Sequence, residues 1–139
     1  QGKEPPIYED GNQVRDFVNI DDVVDANVLV LEDDRANYEM FNVGGGVPVT
    51  VKQFAEVVAK AYGYSDYVPK ACGKYRFGDT RHIFSDISKL KALGWKHKRT
   101  IEDSVLECKE WLDTADCVDD IIEYCSKKMQ ELNVVRNVG

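Results

Sequence analysis

No stretch of this chain approaches the ~20 consecutive apolar residues that a membrane-spanning helix needs, and no secretory signal opens it. Basic charge is scarce. Eighteen Lys and Arg against 25 Asp and Glu leave a net charge of −7, which argues against a general nucleic-acid binder, because that function needs a basic face to release counterions. Histidine is rarer still: only His82 and His97 occur. Neither has carboxylate or thiolate partners at metal-binding spacing, and no Ser–His–Asp or Cys–His arrangement can be argued. The four cysteines, Cys72, Cys108, Cys117 and Cys125, form no C-x-x-C pair, and three fall in expected helices, which speaks against zinc. Cys108 and Cys125 lie on apolar helical faces, where a reduced thiol packs as a small hydrophobe, so a reducing, cytoplasmic setting is expected. Internal repeats and low-complexity segments are absent.

What remains is an ordinary globular composition, 43% hydrophobic and 31% charged over 139 residues. A chain of that size can bury roughly two-thirds of its unfolded surface as one domain. The abrupt start at Gln1-Gly2-Lys3 suits a piece of a longer protein. Pro5-Pro6 predicts an extended lead-in, and Glu9-Asp10-Gly11-Asn12 a turn. Val14 to Ile20 reads as a short strand entering a helix over 20–32, with Asn19 as N-cap and Asp21 and Asp22 favourable in the first turn. Tyr38 to Val43 has strand character and ends at Gly44-Gly45-Gly46. Thr50 and Gln53 form a capping box for the next helix, whose inner face carries Val51, Phe54, Ala55, Val58, Ala61 and Tyr62, and Gly63 stops it. A short strand is expected at 67–71, then a loop from Gly73 to Ile83. Ser85 is expected to cap a brief helix at 86–93, closed by Gly94 with Trp95 packing back. Thr100 and Asp103 open another helix with Ile101, Val105, Cys108 and Leu112 inward. A last amphipathic helix carries Val118, Ile121, Ile122, Cys125, Met129 and Leu132, and 133–139 is expected to fray. The fold class is α/β, short strands with about five helices. Residues 1–114 make a main unit and 115–139 a helical tail.

Two motifs tempt and fail. Gly44 to Val49 reads G-x-G-x-x-V, lacks the third glycine of a dinucleotide fingerprint and loses an amide at Pro48. A tight turn with left-handed glycines is the better account. Tyr124 and Lys128 match the Tyr-x-x-x-Lys pair of short-chain dehydrogenases, but two residues at one spacing recur by chance among seven tyrosines.

Three arginines stand out. Arg15 lies inside an apolar strand, where a charge needs a carboxylate or a ligand. Arg76 and Arg81 flank Gly78, in a stretch from Lys70 to His82 with four Lys or Arg and a single acid, Asp79. The guanidinium fork suits phosphate, so the three could converge on a phosphate-bearing ligand. The alternative pairs Arg15 with Asp16 or Asp22 and Arg76 with Asp79 as structural ion pairs. The apolar stripe from Val118 to Leu132 leaves open a different class of function, a non-enzymatic helical interaction module.

The run Gly11 to Val23, GNQVRDFVNIDDV, closely resembles the G-x-x-x-R-D-F/Y-V-x-V-x-D-V run of extended short-chain dehydrogenase/reductases, the nucleotide-sugar epimerases and dehydratases. Asn42 to Gly46 with Thr50-Val51 resembles the strand, turn and helix that follow there. Arg76-Phe77-Gly78-Asp79, Ser85 to Lys89 and Leu93-Gly94-Trp95 resemble that family's R-x-G-D … D-x-S-K … L-G-W series. Order and spacing agree from about Pro6 to Trp111. The resemblance implies that Arg15 and Arg76 contact the diphosphate of a nucleotide sugar, that Phe17 lies near the nucleoside, and that Asp79 binds ribose. Arg81 joins that substrate-binding set, and GDTRHIFSDISK is especially similar to UDP-glucose-type and dTDP-rhamnose-type 4-epimerases. It further implies bound NAD that takes hydride from C4 and returns it to the other face of a 4-keto sugar, a Tyr-x-x-x-Lys tyrosine moving the proton, and a homodimer. The glycine-rich amino-terminal Rossmann half and that tyrosine are not in this sequence. The chain therefore reads as the substrate-binding portion of such an enzyme, without NAD or epimerisation of its own, a 4,6-dehydratase being the nearest rival.

Overall fold

The computed structural model describes residues 4–115 and 121–138. In chain order these residues form β1 (Val14–Asp16), α1 (Ile20–Glu32), a 3-10 turn (Asp34–Ala36), β2 (Pro48–Thr50), α2 (Val51–Ala61), β3 (Lys74–Arg76), α3 (Ser88–Ala92), α4 (Ile101–Asp113), α5 (Ile122–Glu131) and β4 (Val135–Asn137). Short strands and five helices are the mixed arrangement expected. No helix among the described residues is long and apolar enough to cross a membrane.

The three long helices begin where polar side chains can take up their free amides. Asn19 caps α1, its Oδ1 accepting from the Asp21 amide at 2.9 Å. At α2 the exchange is reciprocal: the Gln53 amide donates to Thr50 Oγ1 at 3.2 Å and the Thr50 amide to Gln53 Oε1 at 2.8 Å. Thr100 and Asp103 repeat the pattern at α4, at 3.1 and 2.7 Å. Thr50→Ala removes one such acceptor and is expected to cost about 1 kcal/mol. The check is a lower urea midpoint with an unchanged slope.

Several elements depart from the expectation, each for a physical reason. Tyr38 to Val43 is not a strand: Tyr38 sits in a turn at a left-handed φ of 62°, and no neighbouring backbone among the described residues supplies a ladder to 39–43. Residues 67–71 likewise form no strand; only Ala71 makes a single parallel bridge to Ile7. Ser85 does not cap α3, which starts at Ser88 behind Ile87 with no side-chain cap. The Ser85 amide is drawn instead to Asp16 Oδ2 at 3.0 Å. Lys74–Arg76, expected as loop, is a strand, and its partner is Val135–Asn137, within the segment expected to fray. Pro48 begins β2 on an edge, the place where a strand tolerates its missing donor.

The core gathers Ala26 of α1 with Ile87, Leu90 and Trp95, and Leu29, Val30, Phe41 and Val43 close around it. Leu90 is fully buried. Trp95 Nε1 donates to the Asp22 carbonyl at 3.1 Å, tying the turn after α3 to the start of α1. A second layer forms where α2 packs on α4. Val105 is buried there, whereas Cys108, expected inward, is exposed and Cys125 half-buried. Cys117 and Val118 lie outside the described residues.

Candidate nucleotide-sugar site

Neighbouring residues of a strand point to opposite faces, and β1 uses this to separate Arg15 from Asp16. Arg15 is half-buried. Its Nη1 donates to the carbonyls of Val14 and Arg81, both at 2.9 Å. Among the described residues no carboxylate pairs with it; the expected alternatives, Asp16 and Asp22, are both engaged elsewhere.

Asp16 turns the other way and organises two loops. Its Oδ1 accepts from the amides of Gly45 at 2.8 Å and Gly46 at 3.3 Å, and its Oδ2 from Ser85. The glycines follow from this close approach. A Cβ at Gly44 would lie 2.1 Å from Asp16 Oδ2, and one at Gly45 would lie 1.8 Å from the Phe17 carbonyl oxygen. Of the three, only Gly46 has a left-handed φ, 71°. The amides that a dinucleotide would need are thus occupied by the protein's own carboxylate.

Residues 81–85 run along β1. The Ile83 amide donates to the Val14 carbonyl at 3.1 Å, and the Val14 amide to His82 Nδ1 at 3.3 Å. Phe17, just past β1, stacks on Phe54 of α2 with centroids 4.4 Å apart and planes 14° from parallel. One of its faces is therefore committed to packing.

The other two arginines stand around the turn at Tyr8–Asp10. Arg76 holds Asp79 at 2.8 Å and lies over the Tyr8 ring, 5.4 Å from its centroid. Arg81 forks onto Glu9 at 2.6 Å and Asp10 at 2.7 Å. The guanidinium of Arg81 holds the Asp10 carboxyl well below the usual carboxylate range, through its hydrogen bond first and its charge after. Because Asp10 is depressed, the pair's contribution is present above the ordinary carboxylate range and is lost only as pH falls through the lower folded value. The structure therefore brings the Arg15 and Arg76–Arg81 segments together around one turn. It does not aim three free guanidinium groups at one point: Arg76 and Arg81 face acids, and Arg15 alone does not. The Arg76–Asp79 ion pair weighed from the sequence is present.

The roles of Asp16 and Asp22 were not foreseen from the sequence. Asp22 is 1% exposed and accepts from the Lys98 amide at 3.1 Å, the Arg99 amide at 3.1 Å and Arg99 Nη1 at 3.1 Å. The available signal was its spacing, four residues before buried Ala26 on the inner face of α1. Tyr124, of the rejected Tyr-x-x-x-Lys pair, is exposed on α5, and Lys128 pairs with Glu131 at 3.1 Å.

The model of the NAD dependent epimerase/dehydratase family matches residues 1–44, the segment that ends at the first glycine of the turn. A dTDP-L-rhamnose 4-epimerase from Burkholderia thailandensis is 39% identical over 108 residues, 77% of this chain and 29% of that protein. The chain belongs to the NAD dependent epimerase/dehydratase family. Two solved members of this epimerase/dehydratase group superpose on it. One is a UDP-glucose 4-epimerase with UDP-glucose from Thermotoga maritima, with TM-score 0.69, 37% identity and coverage of 81% of this chain and 35% of that one. The other is a dTDP-glucose 4,6-dehydratase from Bacillus anthracis in complex with NAD, with TM-score 0.67, 28% identity and coverage of 83% and 36%. The chain spans about a third of the length of the relatives it matches.

Proposed function

We propose that this chain is the substrate-binding part of an NAD-dependent nucleotide-sugar 4-epimerase acting on a UDP- or dTDP-hexose. The observation that carries the reading is Arg15, half-buried, bonded to two carbonyls and, among the described residues, to no acid; one of those carbonyls belongs to Arg81, in the segment that also carries Arg76 and Asp79. A diphosphate supplies the missing negative charge. The Arg76–Asp79 pair is exposed, and such pairs are worth about 0–1 kcal/mol. Phosphate oxygens therefore displace the carboxylate at little cost, and Asp79 turns to a ribose hydroxyl. Arg81 serves from behind, its carbonyl orienting Arg15 while its side chain fixes the Tyr8–Asp10 turn. Phe17, backed by Phe54, lies beside the nucleoside.

The residues described here do not fit the dinucleotide itself, since Asp16 occupies the glycine amides. NAD, the redox step and the catalytic proton transfer belong to the preceding Rossmann half. That half also accounts for an uncovered surface. Ile20, Val24, Val28 and Leu31 form an exposed apolar stripe on α1, and Tyr38 and Met40 are exposed in a segment that joins no ladder among the described residues. The rest of the enzyme covers this face and pairs with that segment.

Calorimetry with UDP-glucose and dTDP-glucose on the full-length protein tests the reading. Arg15→Ala and Arg76→Ala should each weaken binding by about 2 kcal/mol, roughly thirtyfold. Affinity equal to wild type in both variants removes the diphosphate role. The likeness to a dTDP-glucose 4,6-dehydratase supports a second reading, which product analysis separates: a dehydratase releases a 4-keto-6-deoxy sugar, an epimerase a sugar of unchanged mass.

A further inference from the structure

The strand that presents Arg76 is held by β4, more than fifty residues further along the chain. β4 pairs antiparallel with β3, Tyr75 opposite Arg136 and Arg76 opposite Val135. The Phe77 amide extends this contact, donating to the Val134 carbonyl at 2.7 Å, and the Val138 amide donates to the Gly73 carbonyl at 2.9 Å. Alternation along β3 puts Tyr75 and Phe77 on one face and Arg76 on the other. On the first face the Arg136 guanidinium lies 4.0 Å from the centroid of the Phe77 ring, the diagonal contact that an antiparallel pair allows. Arg136 is itself aimed: its Nε donates to the Asn133 carbonyl at 3.1 Å, and Asn133 turns the chain out of α5 at a left-handed φ of 55°. No acid pairs with Arg136 among the described residues, so its charge is free to face the ring.

Resting on the nucleotide-sugar reading of Arg76 and Asp79, we propose that residues 122–138 are a strap that sets the position of the Arg76–Asp79 turn, with Arg136 on Phe77 as its clasp. Arg136 is a positioning residue. It grips the back of the strand whose front carries the phosphate-binding arginine, and it acts on affinity without touching substrate.

The experiment uses the full-length protein with UDP and dTDP as calorimetric probes, joined to amide exchange over residues 74–79. Arg136→Pro cannot donate to the β3 ladder; exchange at 74–79 should accelerate and affinity fall on the order of tenfold, as a pre-ordered turn becomes one that binding must order. Arg136→Ala keeps the ladder and loses the ring contact together with the bond to the Asn133 carbonyl that aims it, for a loss of about threefold. Phe77→Leu should lose affinity too, and Arg136→Ala with Phe77→Leu should be no worse than Arg136→Ala alone, because the ring contact is shared by both. In turnover, KM for the nucleotide sugar should rise with kcat unchanged, and binding stoichiometry should stay at the wild-type value. A general folding defect would instead lower kcat and stoichiometry. Wild-type affinity in Arg136→Pro despite faster exchange overturns the strap, as does unchanged exchange. If Arg136→Pro fails to fold, Arg136→Ala and Phe77→Leu decide alone, and wild-type affinity in both overturns the proposal. Failure of the wild-type protein to bind either nucleotide would overturn the site reading, and with it the strap's effect on ligand. Binding that Arg76→Ala weakens but the strap variants leave intact overturns the strap only.

Discussion

Asp22→Ala is expected to lower stability by about 3–5 kcal/mol, the range for removing one partner of a buried ion pair. Its carboxylate is 1% exposed and gathers the amides of Lys98 and Arg99 together with the Arg99 guanidinium. Alanine would take away the shared acceptor of two part-buried backbone donors. The guanidinium would suffer less, because Arg99 also reaches Asp21 at 3.0 Å. Asp22→Asn should therefore cost less than alanine, its amide oxygen still accepting from the backbone. Urea unfolding of the two variants checks both the size and the order. A loss below 1 kcal/mol for alanine would show that the amides find other partners.

Gly45→Ala is expected to cost about 3 kcal/mol or more, at or beyond the upper end for overpacking. Its new Cβ would sit 1.8 Å from the Phe17 carbonyl, a main-chain atom that cannot swing aside. The turn must then retreat from β1, and the Gly45 and Gly46 bonds to Asp16 go with it. Gly63→Ala is the comparison. That residue has φ 85° and nothing within 4 Å of where a methyl would sit, so only left-handed strain applies, about 1–2 kcal/mol. Equal losses at the two sites would show that the turn yields more easily than its contacts imply.

The elements legible in the sequence are those whose signal is local. Asn19, Thr50 and Thr100 announce their helices because a cap and its amide lie within three residues of each other. Of the three-residue strands only β1 was legible, at the start of the Val14 to Ile20 run; the others were not, since so short a segment shows no alternation and takes its identity from a distant partner: Arg15 for Val49, Arg136 for Tyr75. Tyr38 to Val43 shows the converse, strand chemistry without a ladder to join. At the site, residue types and order pointed to Arg15, Arg76 and Asp79, but not to which charges are already satisfied. That Arg81 would close on Glu9 and Asp10 depends on a chain reversal that no spacing records. The part played by Asp16 was hidden for the same reason, this residue being adjacent in sequence to an arginine it never meets.

The pairing of Lys74 with Asn137 also bears on the order of events during synthesis. A ribosome delivers β3 long before β4, and among the described residues nothing nearer in the chain completes that ladder. Closing a long loop costs little more entropy than closing a medium one, yet it cannot happen until both ends exist. Helices with nearby caps can form while the chain is still emerging, whereas the segment bearing Arg76 reaches its final geometry last. Ribosome-stalled chains ending before Val134 should therefore be compact but hold that segment open.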